Sequence, residues 1–336
     1  MANTLAPLEA LRLLIEEDIE KVPFRPYVML SKITKEDEYQ SQVKWNTNVG
    51  GAAVQGRATT ADAAATNTDT VKQAFLPIGG RVLGHAFSIL RTDIVQAKRA
   101  GQGSIRNLFS EHIQTAFDVI LPELNRVLYQ GTGNDASHGV TGLEAVLAST
   151  NYGGIDSATY TEWVSYVNDN AGTARALSAD HFSAMEIALQ RRGVIYDSIW
   201  TTPEIVEKYK KLFATDRNLT VNQVNGTADI DFSTVSYGGK PIYSDTQCPN
   251  NTLYFLDSRS MVLKTFALGE ATNLTDDTGR VIGSQANAQK TKGLNFLVAE
   301  LPSNNPHAVK YEISVQPQLR VRQPKRIAAL KDIIQA

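Results

Sequence analysis

Residues 104–129 read SIRNLFSEHIQTAFDVILPELNRVLY and carry apolar side chains at the spacing of one helix face. Ser104 is a favourable N-cap, and Gly131 is a typical residue to end a helix. The pattern predicts a helix of about 25 residues, roughly 38 Å long, against a usual length of about 11–12 residues. Pro122 lies inside this helix and is expected to kink it. The apolar positions are Ile105, Leu108, Ile113, Phe117, Ile120, Leu121, Leu124 and Leu128.

The long helix is followed by a glycine-rich polar stretch, GTGNDASHGVTG over residues 131–142. Glycine and short polar residues of this kind are typical of sharp turns. We therefore expect the chain to turn back directly after the helix.

The segment NTNVGGAAVQGRATTADAAATNTDT, residues 46–70, contains almost nothing to bury. Its only sizeable apolar side chains are Val49 and Val54, and strand-like runs flank it at residues 39–45 and 71–78. Two valines cannot offset the conformational entropy lost on ordering such a segment. The sequence therefore predicts an arm that is either mobile or ordered by surfaces outside its own fold.

The rest of the chain mixes helices and strands, which predicts an α+β fold. Residues 5–22 have a stripe of Leu8, Leu11, Ile15 and Ile19, typical of an amphipathic helix. Residues 143–299 alternate short helices and strands, and residues 307–322 alternate apolar and polar side chains as one long antiparallel strand. Pro317 within that strand favours an edge position or a bulge.

Composition limits the function classes. The 336 residues carry a net charge of −2, so no strong overall field attracts nucleic acid or an acidic membrane. Cys248 is the only cysteine, which excludes a disulfide framework or a cysteine zinc site within one chain and favours a reducing compartment. No apolar run is long enough to span a membrane, and acidic residues 16–18 interrupt any signal-peptide pattern at the N-terminus.

No motif in the sequence predicts a catalytic, metal or cofactor site. The five histidines are too far apart for a histidine-pair metal site. Asp277-Thr278-Gly279 matches the aspartic-protease triplet, but that chemistry needs two carboxylates and the neighbours here are polar, so a turn is favoured. Residues 101–104, GQGS, precede a helix without a preceding buried strand, and a hinge is favoured over a phosphate loop.

One charge cluster stands out near the C-terminus, at Arg320, Arg322, Lys325 and Arg326. It is either a solvated strand face or a surface that pairs with a neighbouring subunit or with phosphate groups. It contains no aromatic residues, so stacking on single-stranded nucleic acid is not expected.

The order of these elements resembles the major capsid protein of tailed bacteriophages, the Hong Kong 97-like fold. The resemblance covers nearly the whole chain and rests on several weak motifs in order. They are the long helix 104–129, YQGTGND at 129–135 with GVTGL at 139–143, SIWTTP at 198–203, GGKPIYSD at 238–245 with LYFLD at 253–257, and the closing strand 311–322.

The resemblance implies a division of the chain into an N-terminal arm, an extended loop, and two domains. These are the arm at residues 1–38, the extended β-hairpin loop at 39–84, a peripheral domain at 85–145 and 300–336 with spine helix 104–129, and an axial domain at 146–299.

The resemblance further implies hexamers and pentamers of an icosahedral virion shell, assembled in a bacterial cytoplasm. The implied partners are other copies of the chain, a separate scaffolding protein, a portal protein, a decoration or cement protein, and non-specifically contacted double-stranded DNA.

We expect subunit contacts at residues of the arm and the basic cluster: Lys44, Trp45, Arg57, Lys72, Arg320 and Arg322. Trp45 and Arg57 are the expected anchors of the arm, because aromatic residues and arginine dominate contact energetics. Lys44 and Lys72 flank the arm, but nothing local identifies a partner for covalent crosslinking. Two alternatives stay open: an encapsulin-like shell around enzyme cargo and, more remotely, an aspartate-dependent hydrolase using Asp277.

Overall fold

A helix of 29 residues, Gln102–Gln130, is the longest element of the computed structural model. Its bounds confirm the helix predicted over residues 104–129, and it continues through Pro122. The structure describes residues 27–50, 70–100, 102–148, 151–213, 222–224, 227–229, 235–267, 287–291, 293–302 and 304–334. The amphipathic segment predicted at residues 5–22 and the middle of the predicted arm lie outside these residues.

Six helices and seventeen strands follow one another along the described residues, together with short 3₁₀ turns. The helices are α1 Val28–Lys32, α2 Arg91–Ala100, α3 Gln102–Gln130, α4 Leu143–Ala148, α5 Ala179–Arg191 and α6 Pro203–Leu212. The first nine strands are β1 Thr34–Glu38, β2 Gln42–Gly50, β3 Thr70–Pro77, β4 Leu83–Leu90, β5 Tyr166–Asn168, β6 Ser198–Thr201, β7 Asn222–Val224, β8 Thr227–Asp229 and β9 Val235–Tyr237. The others are β10 Lys240–Ser244, β11 Leu253–Leu256, β12 Met261–Phe266, β13 Asn287–Thr291, β14 Leu294–Leu301, β15 Ala308–Val315, β16 Pro317–Val321 and β17 Ile327–Leu330.

The chain forms two compact units. The first contains Met1–Val43, Pro77–Val140 and Leu263–Leu319, and the second contains Lys44–Leu76, Thr141–Val262 and Arg320–Ala336.

Helix α3 and a four-stranded antiparallel sheet, in the order β13-β14-β15-β4, build the core of the first unit. The ring of Phe117 on α3 meets Phe296 of β14 edge-on, with centroids 5.1 Å apart. One turn earlier along the helix, His112 stacks on Phe87 of β4 at 5.3 Å. Aromatic contacts of this kind add to simple burial, so they fix the helix against the sheet.

Arg81 is one of the residues that hold the turn after α3. One guanidinium nitrogen of Arg81 donates hydrogen bonds to the carbonyl oxygens of Gly133 and Gly139, at 2.9 and 2.8 Å. Gly139 has φ of +71°, and a Cβ there would lie 2.2 Å from that nitrogen. Glycine is therefore required where the turn closes on the arginine.

The second unit contains a six-stranded sheet in the order β5-β17-β11-β6-β10-β9. Helices α5 and α6 pack on it around Phe182, Met185 and Ile205, which are buried together with Ile199 and Phe255 of the sheet. The starts of both helices have local signals in the sequence. Ser178 forms a capping box with His181, and proline occupies the first turn of α6.

The predicted single strand over residues 307–322 is two strands in the structure. Strand β15 lies between β14 and β4, whereas β16 belongs to a three-stranded sheet in the order β1-β12-β16. Pro317 is the first residue of β16. A proline has no N–H to donate, so it cannot continue a strand that is paired on both sides, and the chain changes sheets there.

Residues 320–336 lie in the second unit, whereas the division implied by the resemblance placed them in the peripheral domain. That division placed residues 300–336 beside the long helix, but β17 pairs antiparallel with β11, with Ile327 opposite Leu256 and Leu330 opposite Leu253. Residues 320–336 therefore belong to the second unit, and residues 263–299 belong to the first. A four-residue apolar run does not specify its partner strand, and this explains the difference.

Candidate assembly surface

Strands β2 and β3 pair only with each other and form a two-stranded sheet, which we call the ribbon. Residues 51–69, between the two strands, are not described. Side chains of β2 alternate strictly, with Val43, Trp45, Thr47 and Val49 buried and their neighbours exposed. The strand therefore extends five residues beyond the predicted boundary at Trp45, because Thr47 and Val49 continue the buried face.

Trp45 attaches the ribbon to its own chain. Its side chain is only 8% exposed, and its indole N–H donates to the carbonyl oxygen of Arg322 at 3.1 Å. Its ring lies 6.1 Å from that of Tyr152. The sequence predicted Trp45 as a contact to a neighbouring subunit. That contact stays a prediction, and little of the side chain is left exposed for it.

Tyr152 connects three segments beneath the ribbon. Its hydroxyl accepts a hydrogen bond from the backbone N–H of Val321 at 2.9 Å, and its carbonyl accepts one from the Trp163 indole at 2.9 Å. Burial raises the pKa of the Tyr152 hydroxyl well above its usual range, so it stays neutral. These hydrogen bonds, together with that of the Trp45 indole, join the base of the ribbon to residues 152, 163 and 321–322.

The ribbon touches the backbone at Gly153 and Gly154, which the sequence analysis did not single out. Both have positive φ, +64° and +76°. A Cβ on Gly153 would lie 3.0 Å from the Cβ of Ala74, and a Cβ on Gly154 would lie 2.7 Å from Cε1 of Phe75. The only available signal was the Gly-Gly dipeptide after Tyr152, which indicates a turn but not what approaches it.

Gly153→Ala is expected to lower the free energy of unfolding by about 2–5 kcal/mol. The change adds left-handed backbone strain of about 1–2 kcal/mol and a steric conflict with Ala74 of about 1–3 kcal/mol. Gly172→Ala is the matched control, because Gly172 has φ of +78° and nothing within 4 Å of the added Cβ. Urea unfolding of both variants measures the difference, and equal losses would contradict the close approach.

The two lysines predicted as contacts are both exposed on the ribbon. Lys44 is exposed and makes no side-chain hydrogen bond or ion pair with any described residue. Lys72 is exposed on β3, and its ammonium lies 5.8 Å from the centroid of the Tyr160 ring. Phe75 on the same strand is 47% exposed. The two-residue period of a strand places Lys72 on the side of buried Ala74 and Phe75 on the opposite side, so the cationic and the apolar group are exposed on different faces of β3.

The basic cluster near the C-terminus divides into paired and exposed members. Lys325 contacts Glu162 at 2.8 Å, and this hydrogen bond lowers the pKa of the Glu162 carboxyl. Arg326 contacts the buried carboxylate of Asp257 at 2.8 Å. Arg320 is half-buried and Arg322 is exposed. Lys325 and Arg326 are therefore paired within the chain, and Arg322 is an exposed member that is open to an outside partner.

Arg57 and Asp277 lie outside the described residues, so the structure does not bring either to a site. Within the part of the chain that is described, no group of three His, Cys, Asp or Glu side chains could hold a metal ion. Cys248 is buried, and burial raises the pKa of its thiol. No helix of the described segments is both long and apolar enough to cross a lipid bilayer.

The fold is that of proteins that build closed shells. The structure superposes on a capsid protein of cyanophage A-1(L) with a TM-score of 0.70 and 24% identity, covering 91% of this chain and 93% of that one. It superposes on the capsid of a native GTA particle with a TM-score of 0.61, 14% identity and coverage of 93% and 92%. It also superposes on an encapsulin complex from Synechococcus elongatus PCC 7942 with a TM-score of 0.53, 10% identity and coverage of 93% and 89%.

These superpositions confirm the α+β class and the Hong Kong 97-like capsid fold that the sequence predicted. Neither a protein-family model nor a curated protein matches the sequence. At these identities the likeness concerns the fold.

Proposed function

We propose that this chain is the major capsid protein of a tailed double-stranded DNA bacteriophage, whose copies form the hexamers and pentamers of an icosahedral shell. The observation that supports this most is the cyanophage capsid protein, which matches over more than nine-tenths of both chains with a TM-score of 0.70. The encapsulin match covers a similar length at a TM-score of 0.53. The role proposed is structural and non-catalytic.

Within this function we propose that the second unit carries the axial domain and that α3 is the spine of the peripheral domain. The ribbon and residues 51–69 form the extended loop, which lies across a neighbouring subunit. Exposed Lys44, Lys72 and Arg322 are the described residues that contact that neighbour, with Arg57 beyond the described strands. The support is the exposure of Lys44 and Lys72 on the ribbon, and of Arg322 at the point where the Trp45 indole ties the ribbon to its own chain.

The proposed partners follow from the same fold resemblance. They are a scaffolding protein during assembly in the bacterial cytoplasm, a portal protein, a decoration or cement protein, and packaged DNA. We propose that contact with DNA is non-specific, because the net charge of −2 provides no strong overall attraction for phosphates.

Electron microscopy of the expressed chain, with a scaffolding protein if one is required, tests the proposal. We expect closed icosahedral shells. A protein that stays monomeric or dimeric at every concentration and with every scaffold tried would contradict it. Shells that protect DNA from nuclease in infected cells favour the phage capsid, whereas shells that enclose an enzyme with a docking tail favour the encapsulin-like alternative.

Asp277→Ala separates the structural role from the hydrolase alternative. We expect the same yield and diameter of shells as for the unmodified chain, because a lone carboxylate lacks the partner that aspartate catalysis requires. Asp276→Ala is the matched control on the adjacent residue. Loss of a measured hydrolytic activity in the first variant alone would contradict the non-catalytic role.

A further inference from the structure

A groove in the second unit combines an apolar lining with positive charge. It is open to solvent, has a volume of about 450 Å³, and is lined by Ala176, Leu177, Lys208, Lys211, Leu212 and Ile334. Its volume falls within the range of about 300–1,000 Å³ that is usual for binding pockets. Leu212 is 40% exposed there, although it is a large apolar residue. An exposed apolar lining of this kind favours a partner that brings apolar side chains.

The positions of the lysines are set by rigid elements. Lys208 and Lys211 are three residues apart on α6 and therefore lie on one side of that helix. Lys210, between them, forms an ion pair with Glu207 and does not line the groove. Leu177 packs against the buried cluster beneath, which fixes one wall. The groove thus presents cations beside a preformed apolar surface.

One segment of this chain has the complementary chemistry. Residues 5–22 carry five acidic and two basic side chains, and their apolar stripe is Leu8, Leu11, Ile15 and Ile19. If they form the predicted helix, successive residues are rotated by about 100°, which places Glu16 and Asp18 on the two flanks of that stripe. An apolar stripe with acidic flanks matches an apolar groove with lysines.

We propose that residues 5–22 of a neighbouring copy dock in the groove beside Lys208 and Lys211. This inference rests on the proposed function, because shell assembly is what brings neighbouring copies together. It assigns the N-terminal segment a specific receptor, which neither the fold nor the sequence pattern identifies. The apolar stripe predicted for residues 5–22 faces an apolar groove, so the proposed docking is of the helix-in-groove kind.

Disulfide trapping in assembled particles tests this docking. Subunits with Leu212→Cys are mixed with subunits carrying Ile15→Cys, assembled and mildly oxidised, so that only a contact between copies can give a crosslinked dimer. Native Cys248 is 3% exposed and adds little background, which a mixture of unmodified and Ile15→Cys subunits measures. Glu17→Cys replaces Ile15→Cys in the control, because the predicted helix places residue 17 away from the stripe.

We expect the Ile15 variant to give about fivefold or more crosslinked dimer than the Glu17 variant, which corresponds to about 1 kcal/mol of preference. Equal or absent crosslinking in intact particles would overturn the docking and leave the proposed function standing. A chain that carries both Leu212→Cys and Ile15→Cys tests docking within one copy. A disulfide that forms in this chain but not in the mixture would overturn the assignment to a neighbouring copy. Failure of the unmodified chain to form any shell would instead refute the proposed function.

A charge exchange provides the second measurement if a cysteine variant does not assemble. Lys211→Glu is expected to reduce the yield of shells by about fivefold, in line with the loss of about 1 kcal/mol for one exposed ion pair. Adding Asp18→Lys to the same chain is expected to restore the yield. Lys210→Glu makes the same charge change in the last turn of α6 outside the groove, and because it also removes the ion pair with Glu207, its effect is an upper limit for the loss that does not depend on the groove. An equal defect in both single variants, without rescue, would contradict the docking.

Discussion

Replacement of residues 51–69 by a short Gly-Ser linker is expected to give a folded subunit that cannot close shells. Shortening a loop changes its closure free energy by only about 1 kcal/mol, so the stability of the subunit changes little. The yield of shells is expected to fall by more than about a hundredfold, which corresponds to about 3 kcal/mol per subunit. Thermal unfolding of the soluble subunit and electron microscopy measure the two effects separately.

The control for this replacement is a Gly-Ser linker of the same length as residues 51–69. If the side chains of the segment make the contact, both linkers abolish assembly. If only the length of the segment matters, the linker of the same length as residues 51–69 restores shells. Loss of the subunit fold with the short linker would show that residues 51–69 belong to the core of their own chain and not to an assembly arm.

Trp45→Ala is expected to lower the free energy of unfolding of the unassembled subunit by about 3–5 kcal/mol, as for other buried large aromatic residues. The change removes the ring packed near Tyr152 and leaves the carbonyl oxygen of Arg322 without its indole donor. Because the same ring attaches the ribbon, assembly is expected to fail as well. Urea unfolding of the monomeric subunit measures the change in the free energy of unfolding.

Two further variants separate the contributions at Trp45. Trp45→Phe keeps most of the apolar contact but loses the N–H donor, and we expect a loss of about 1–2 kcal/mol. Asn46→Ala changes the adjacent exposed residue, and its effect is expected to stay within about 0.5 kcal/mol. A Trp45→Ala subunit of unchanged stability that nevertheless fails to assemble would show that this side chain acts at an interface between subunits instead.

The elements that the sequence predicted well are those whose signals are local. Helix α3 is marked by its periodic apolar residues, and both of its ends lie within two residues of the predicted bounds. Ser178 before α5 and Pro203 at the start of α6 are local signals of the same kind. A helix needs only its own i and i+4 neighbours, so a continuous stretch of sequence contains most of the information.

Pairings between distant segments were not predictable in this way. The sequence gives no reason for Ile327–Leu330 to pair with Leu253–Leu256, or for the chain to leave one sheet and join another at Pro317. Every such pairing depends on which other strand offers an open edge, and this is a property of the folded chain. The same holds for Lys325 and Arg326, whose partners Glu162 and Asp257 are far away in sequence.

The sequence alone determined a long spine-like helix, a polar arm between two strands and the resemblance to capsid proteins, because periodicity, composition and element order are local or additive properties. Only the tertiary structure decided how the arm is attached. Trp45 faces inward to Arg322 and Tyr152, and Gly153 leaves room for Ala74, so the ribbon has one face bound to its own chain and one face open. The physical reason is that a strand buries whichever face finds a complementary surface, and that surface comes from residues far away in the sequence.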